Sequence, residues 1–329
     1  MSHFKRIVAA GLTLTTVATL LPMTTLAAHY DEWVEKDGKW YYYDYNGKKV
    51  KYRSVERSDS ASGTTKYYVL NSKGAQVTSK GWYTTNYYYI VYYNKIKFQN
   101  KYYLKSDGSV TTGWKKISKK WYYFEEDGKM AKNTAKEQVD TSTGKSKYYL
   151  LGSDGKRITK KGWHQVKYTY LDTTYGDKRS YKLWYYVKAD GSVYTNCVKK
   201  IKGKNYLFSS EGILVQNDYY GVENAKTGER TYYSTDKNGV VYTKKGIRTI
   251  KYNVSYTYCG CYKETYTASE KIYVKSDGTL YRGLKKVKDK YYYFDITATK
   301  CTYRTINGTK YYFGKSGAST RIVKPQVVI

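Results

Sequence analysis

The stretch Gly113-Trp114-Lys115-Lys116-Ile117-Ser118-Lys119-Lys120-Trp121-Tyr122-Tyr123-Phe124-Glu125-Glu126-Asp127-Gly128-Lys129-Met130 decides the fold. Aromatic residues favour strands, and the glycine of Asp127-Gly128 supplies the positive φ that a tight turn needs. Such a unit reads as a β-hairpin. Side chains alternate along a strand, so Trp121 and Tyr123 share one face while Tyr122 and Phe124 share the other. Both faces are aromatic. One is free to stack on neighbouring units and the other to line a groove.

Outward from this stretch the same unit returns along the chain, each time as aromatics followed by a turn that ends in glycine. Earlier copies are Lys39-Trp40-Tyr41-Tyr42 to Gly47, Lys66-Tyr67-Tyr68 to Gly74 and Lys101-Tyr102-Tyr103 to Gly108. Later copies include Lys147-Tyr148-Tyr149 to Gly155, Trp184-Tyr185-Tyr186 to Gly191, Tyr232-Tyr233 to Gly239 and Tyr311-Tyr312-Phe313 to Gly317. From Gly47 to Gly278 the steps between turn glycines are 27, 34, 20, 27, 36, 21, 27 and 39 residues. A medium, long and short step recur, which defines three-hairpin blocks at about 51–132, 133–215 and 216–300, with partial units at 33–50 and 301–329.

The long step is always an expanded segment, at 81–104, 162–187 and 246–274. In the third copy Ile250, Tyr252, Val254, Tyr256 and Tyr258 alternate with Lys251, Asn253, Ser255 and Thr257, the pattern of a half-exposed strand. Cys259-Gly260-Cys261 is expected as the turn at its tip, a part taken by residues 172–177 in the second copy. No single unit can bury a core, so the units must stack on their neighbours. The expected fold is all-β: a β-solenoid of stacked Tyr-rich hairpins with three long projecting hairpins, and helix only in the signal peptide.

That signal peptide is expected at 1–27. Lys5 and Arg6 precede an apolar stretch that reaches Leu21, and Thr25-Leu26-Ala27 offers small residues at the two positions a signal peptidase reads. The cut is placed after Ala27, with the bond after Ala28 as the alternative. The apolar run is short for a membrane span and no further segment is apolar enough to be one, so no transmembrane span is expected. The protein is expected to be secreted and held at the cell surface without a covalent bond. Removing Lys5 and Arg6 lowers the formal charge from +32 to +30, an excess that favours polyanionic neighbours. Export turns that preference away from nucleic acid and toward wall teichoic acids, acidic glycans and host matrix. Tyrosine, at 46 residues, is the extreme of the composition, and its ring suits half-buried or sugar-contacting positions.

Residues 113–130 resemble the cell-wall-binding repeat, the family of choline-binding repeats with relatives in glucan-binding proteins and in the receptor-binding repeats of clostridial toxins. Gly-Trp, a basic spacer, Trp-Tyr-Tyr-Phe, Asp-Gly and Met fall in the family order. Gly81-Trp82 and Gly162-Trp163 repeat the opening dipeptide, while 283–295 keeps the frame without tryptophan. The resemblance implies a solenoid of hairpins attached to bacterial surfaces. It implies aromatic boxes for a quaternary ammonium, with Trp114 and Trp121 matching the box-forming tryptophans and the third wall coming from a neighbouring unit. Most units carry Tyr, Leu or Ile where a box wants Trp, so choline is expected at few sites. Sugar stacking on aromatic faces with Lys contacts to anionic groups fits more of the chain. Trp82, Trp114, Trp121, Trp163 and Trp184 are the expected ligand-binding residues. The partners expected are wall teichoic acid, a peptidoglycan-associated polymer or another glycan. The competing reading is a structural or adhesive surface protein that contacts host glycans or other copies of itself.

Catalysis is not expected. Of the histidines beyond the signal peptide, His29 lies beside the cleavage site and His164, which follows a Gly-Trp, has no second His, Cys or carboxylate cluster near it in sequence. Acidic residues such as Glu125 and Asp127 lie in turns. No Gly-rich phosphate loop and no cofactor motif is present. Cys197, Cys259, Cys261 and Cys301 read as disulfides or free thiols rather than a zinc site, because Cys259-Gly260-Cys261 lacks the usual spacer.

Overall fold

The computed structural model describes residues 29–58, 63–91, 94–172, 177–258 and 262–323. The signal peptide, the Cys259-Gly260-Cys261 turn and most of the tip at 172–177 lie outside these residues. Every regular element described is a strand, and no helix among the described residues is long and apolar enough to cross a membrane.

Each strand pairs antiparallel with its sequence neighbour to make a two-stranded hairpin. The exception is the last sheet, where Thr302–Ile306, Thr309–Phe313 and Ser319–Val323 form three strands. The aromatic run is the second strand of its hairpin: Lys120–Phe124 returns along Gly113–Ile117, with Trp114 opposite Tyr123 and Lys116 opposite Trp121. The hairpin tips are two-residue loops whose residues take positive φ, as at Asp37-Gly38, Ser118-Lys119 and Lys202-Gly203. That conformation matches the twist of the strands on either side. The glycines that mark the sequence rhythm do a different job. They close the turn after the second strand, where the Gly128 amide donates to the Glu125 carbonyl at 2.9 Å. The expectation that these glycines form the hairpin tip is thus corrected. The tip needs left-handed backbone at two residues, which Ser118 and Lys119 supply without glycine, at φ of 45° and 63°.

The second turn explains the Asp-Gly signal. The Asp107, Asp127, Asp154, Asp190 and Asp277 carboxylates each accept the amide two residues on, at 2.9 to 3.1 Å. Asp side chains favour turns for this reason. The carboxyl of Asp107 is held well below the usual carboxylate range, first by the Ser109 hydroxyl at 2.6 Å and then by the Lys66 ammonium at 2.9 Å. Burial works against the ionised form of Asp190, but the Ser192 hydroxyl and amide and the Lys147 ammonium outweigh it. A depressed native pKa gives stability that is complete above the unfolded value, near 4, and is lost as the pH falls below it. The expected result is a thermal midpoint that drops below about pH 4. In the paired Asp107→Asn and Asp190→Asn variant the midpoint is already lower at neutral pH, and the acid-dependent drop is smaller. Melts followed by circular dichroism across pH 2 to 7 check it, and equal acid sensitivity in parent and variant would contradict it.

Consecutive hairpins are clipped together by the residue two beyond each turn glycine. Its amide donates to a carbonyl in the second strand of the preceding hairpin: Gln76 to Trp40, Val110 to Tyr67, Met130 to Lys101, Arg157 to Trp121, Val193 to Tyr148, Leu214 to Trp184, Val241 to Asn205 and Leu280 to Tyr232. All eight bonds are 2.8 or 2.9 Å long. The turns approach closely here. A Cβ on Gly128, which has φ of 79°, would lie 2.4 Å from the Val110 Cβ.

The core follows the same register. The last residue of the second strand is fully buried in hairpin after hairpin, at Leu104, Phe124, Leu151, Val187, Phe208, Val274, Phe294 and Phe313. Burial of each such side chain contributes about 1.5–3 kcal/mol. Tyr122 and Phe124 lie on the buried face and Trp121 and Tyr123 on the half-exposed one, as the alternation predicts. The long hairpins have the bounds read from sequence: Gly81–Val91 with Asn94–Leu104, Gly162–Asp172 with Asp177–Val187, and Gly246–Tyr258 with Tyr262–Val274. Ile250, at the base of the third, is buried, and the side chains farther out lie outside the described residues.

A candidate aromatic cage

Trp114 and Trp121 lie on one face of their hairpin but are not in ring contact with each other. Trp114 meets Tyr123 edge-on at 5.4 Å and Tyr149 of the next hairpin at 5.8 Å, and its indole N–H donates to the Glu137 carbonyl at 2.7 Å. The Arg157 guanidinium lies 3.5 Å from the Tyr149 ring centroid. The Trp121 carbonyl accepts the Arg157 amide, so arginine crosses the face where a third wall is expected.

The first hairpin repeats this arrangement with residues that the sequence reading passed over. Trp33 meets Tyr42 at 5.6 Å and Tyr68 of the next hairpin at 6.1 Å, and its N–H donates to the Glu56 carbonyl at 2.7 Å. The Arg57 guanidinium sits 3.7 Å over Trp40 and 5.8 Å from Trp33. The available signal was spacing, since Trp33 and Trp40 stand as far apart as Trp114 and Trp121. In both places the chain sets its own cation against the rings, an attraction to the negative ring face.

The bases of the three long hairpins form a second series. In the first, Trp82 lies opposite Tyr103, and Lys101 is two residues before Tyr103 on the same face. Trp82 contacts Tyr103 at 5.3 Å and Tyr122 of the following hairpin at 5.0 Å, with the Lys101 ammonium 4.3 Å from its ring centroid. In the third, Ile247 takes the Trp82 position and Lys271 the Lys101 position, 5.6 Å from Tyr292.

The second long hairpin differs at the decisive place. Trp163 lies opposite Tyr186, and Trp184 takes the position held by Lys101 and Lys271. Trp163 meets Tyr206 of the next hairpin at 4.9 Å, Tyr186 at 5.2 Å and Trp184 at 6.5 Å, each edge-on, with Phe208 stacked at 5.9 Å. A recess of about 340 Å³ opens here, lined by Trp163, Trp184, Tyr206, Leu214, Gln216 and Asn238. Among the described residues its lining carries no charged side chain, and no Lys or Arg stands over these three rings. Three aromatic walls over an apolar floor suit a quaternary ammonium by cation–π attraction, or the apolar face of a sugar.

The structure thus brings Trp163 and Trp184 together, adds Tyr206 and Leu214, and places Trp82, Trp114 and Trp121 elsewhere. His164, beside Trp163, is engaged at 2.6 Å with the Lys160 carbonyl. Cys197 is half-buried and Cys301 exposed, both free thiols, and burial pushes the Cys197 thiol up. Cys259 and Cys261 lie outside the described residues. Among the described residues no group of three His, Cys, Asp or Glu side chains could hold a metal ion.

A family profile described as a choline-binding repeat matches residues 111–163, and one described as a cell wall binding repeat matches 31–49 and 302–319. These three segments are similar to cell-wall-binding repeats of the choline-binding kind. The first of these matches contains Trp114 and Trp121 and ends on Trp163, one wall of the cage. The chain is 28% identical over 208 residues to glucosyltransferase-S of Streptococcus mutans, spanning 63% of this chain and 12% of that protein. It is 24% identical over 276 residues to glucosyltransferase-I of Streptococcus downei, spanning 68% of this chain and 16% of that one. The chain therefore spans under a fifth of the length of either glucosyltransferase. Two solved structures of Streptococcus pneumoniae, choline binding protein F and CbpJ, are 19% and 18% identical with TM-scores of 0.32 and 0.31, each likeness covering 88% of this chain and 92% of the other.

Proposed function

We propose that this chain is a non-catalytic binding protein for bacterial cell-wall polymer or surface glycan. In this reading the cage of Trp163, Trp184 and Tyr206 takes a quaternary ammonium such as choline, and the half-exposed aromatic faces and lysines take the rest of the polymer. The observation that carries it is the recess in front of those three rings, which holds no Lys or Arg side chain among the described residues. The family descriptions of residues 31–49, 111–163 and 302–319 support the same class of ligand. The hairpins are read as a β-solenoid, supported by the clip that recurs from Gln76 to Leu280 and by the buried row from Leu104 to Phe313. Residues 1–27 direct export and are removed in its course, after which the protein stays at the surface by non-covalent contacts.

Purified protein lacking residues 1–27 is expected to sediment with bacterial walls at low salt. Free choline is expected to release the fraction held by the cage, and salt to release the fraction held by lysines. Failure to sediment at low salt would refute wall binding. Release by salt alone, with choline without effect, would refute the cage.

A further inference from the structure

We propose that the cleft between the first two long hairpins is a second binding site, for a phosphate-bearing polyol or sugar chain. The inference rests on the polymer-binding reading and gives it a second, separate contact. The cleft measures about 1050 Å³ and runs between Lys97–Asn100 of the first long hairpin and Gln165–Thr169 of the second. Among the described residues its two walls are joined by Lys178. The Lys178 ammonium donates to the Lys97 carbonyl and lies 4.4 Å from the Phe98 ring centroid, so the second long hairpin clasps the first.

Lys97, Lys132, Lys167 and Lys178 all line this cleft, and among the described residues no carboxylate lines it. The first three have exposed side chains and no ion pair among the described residues. The neighbouring cleft of about 740 Å³ on the other side of the first long hairpin differs, because Asp44 and Glu56 stand among its lysines. Between the lysines, amide side chains such as Asn133 and Gln165 offer donors and acceptors to hydroxyl groups, and Tyr168, 41% exposed, offers a ring face. The cations are all lysine. Lysine serves phosphate as a point charge, whereas planar carboxylates are best matched by the arginine fork. Lysines interleaved with amides therefore fit a chain whose phosphates alternate with hydroxylated units.

The test uses fluorescently labelled poly(glycerol phosphate), polygalacturonate and neutral dextran against the protein lacking residues 1–27. Poly(glycerol phosphate) is expected to bind tightest, and dextran weakly in parent and variant alike. The variant carrying Lys97→Gln, Lys132→Gln and Lys167→Gln keeps the Lys178 clasp and is expected to lose at least tenfold in affinity. Its log–log salt slope is expected to fall by about two. A control carrying Lys200→Gln, Lys204→Gln and Lys226→Gln removes the same charge from exposed positions outside the cleft and is expected to lose less than threefold. Equal losses in the two variants, equal binding of polygalacturonate, or no binding by the parent would each overturn the proposal. If the triple variant melts early, Lys132→Gln and Lys167→Gln singly are each expected to lose about threefold, and no loss in either overturns it. Choline binding at the Trp184 cage is expected to survive in the cleft variants. Failure of the cage and failure of the cleft are therefore read separately.

Discussion

Replacing Trp184 by lysine is expected to lower choline affinity at least 30-fold, with the fold intact. The second long hairpin would then carry what the first and third already carry, because Lys101 and Lys271 occupy the same register position there. In the first hairpin the lysine ammonium rests 4.3 Å from the tryptophan that would otherwise face the ligand. The substitution thus removes one ring wall and supplies a competing cation to the other two. A desolvated cation–π contact is worth about 2 kcal/mol, so loss of one wall alone gives roughly a 30-fold drop. The converse change is as informative. Lys101→Trp would free Trp82 and Tyr122, which meet at 5.0 Å much as Trp163 and Tyr206 do at 4.9 Å. The expected result is a second choline equivalent in isothermal titration. Unchanged affinity in Trp184→Lys would refute the assignment of the cage.

Phe124→Ala is expected to cost about 3–5 kcal/mol of stability. Phe124 is fully buried and lies 5.9 Å from the Trp82 ring of the preceding hairpin, so the cavity opens at a junction between units, not inside one. Among the described residues, small clusters that draw on neighbouring hairpins recur along the core. One of them is Val69, Val77, Tyr102, Leu104 and Val110. In a stack with only nearest-neighbour contacts, no distant layer compensates for a lost junction. Tyr123→Ala, one residue away on the half-exposed face, is expected to cost less than half as much. Urea denaturation of both variants checks the pair, and equal costs would contradict the two-faced hairpin.

Most of the hairpin order was legible because tyrosine and glycine mark it locally. The three long hairpins were bounded from sequence by the same alternation and glycine rhythm that the pairing from Gly81 to Val274 displays. The part of the turn glycines was misread, because Ser118-Lys119 accepts left-handed backbone with no glycine to announce it. The cage was half legible. Trp163 and Trp184 are conspicuous as residues, but Tyr206 and Leu214 join them only through the register between hairpins, which is set by the Leu214 amide on the Trp184 carbonyl. The same register hides the difference between Lys101 and Trp184, since a lysine beside an aromatic run reads as surface charge until its partner ring is known. Trp114 and Trp121 show the reverse: a close motif match whose third side is crossed by Arg157, a residue that belongs to the next turn.

The cage has one further consequence. Trp163 and Trp184 come from one hairpin and Tyr206 from the next, across a junction whose backbone includes the Leu214-to-Trp184 hydrogen bond. A ligand seated there touches both sides, so pulling the two hairpins apart must also break its contacts. At a concentration one hundred times its dissociation constant it adds about 2.7 kcal/mol to that junction. For a protein tethered through this ligand, the load from shear enters where the ligand itself has riveted the chain. The anchor point is then strongest while it is bearing force, and softens once the wall lets go.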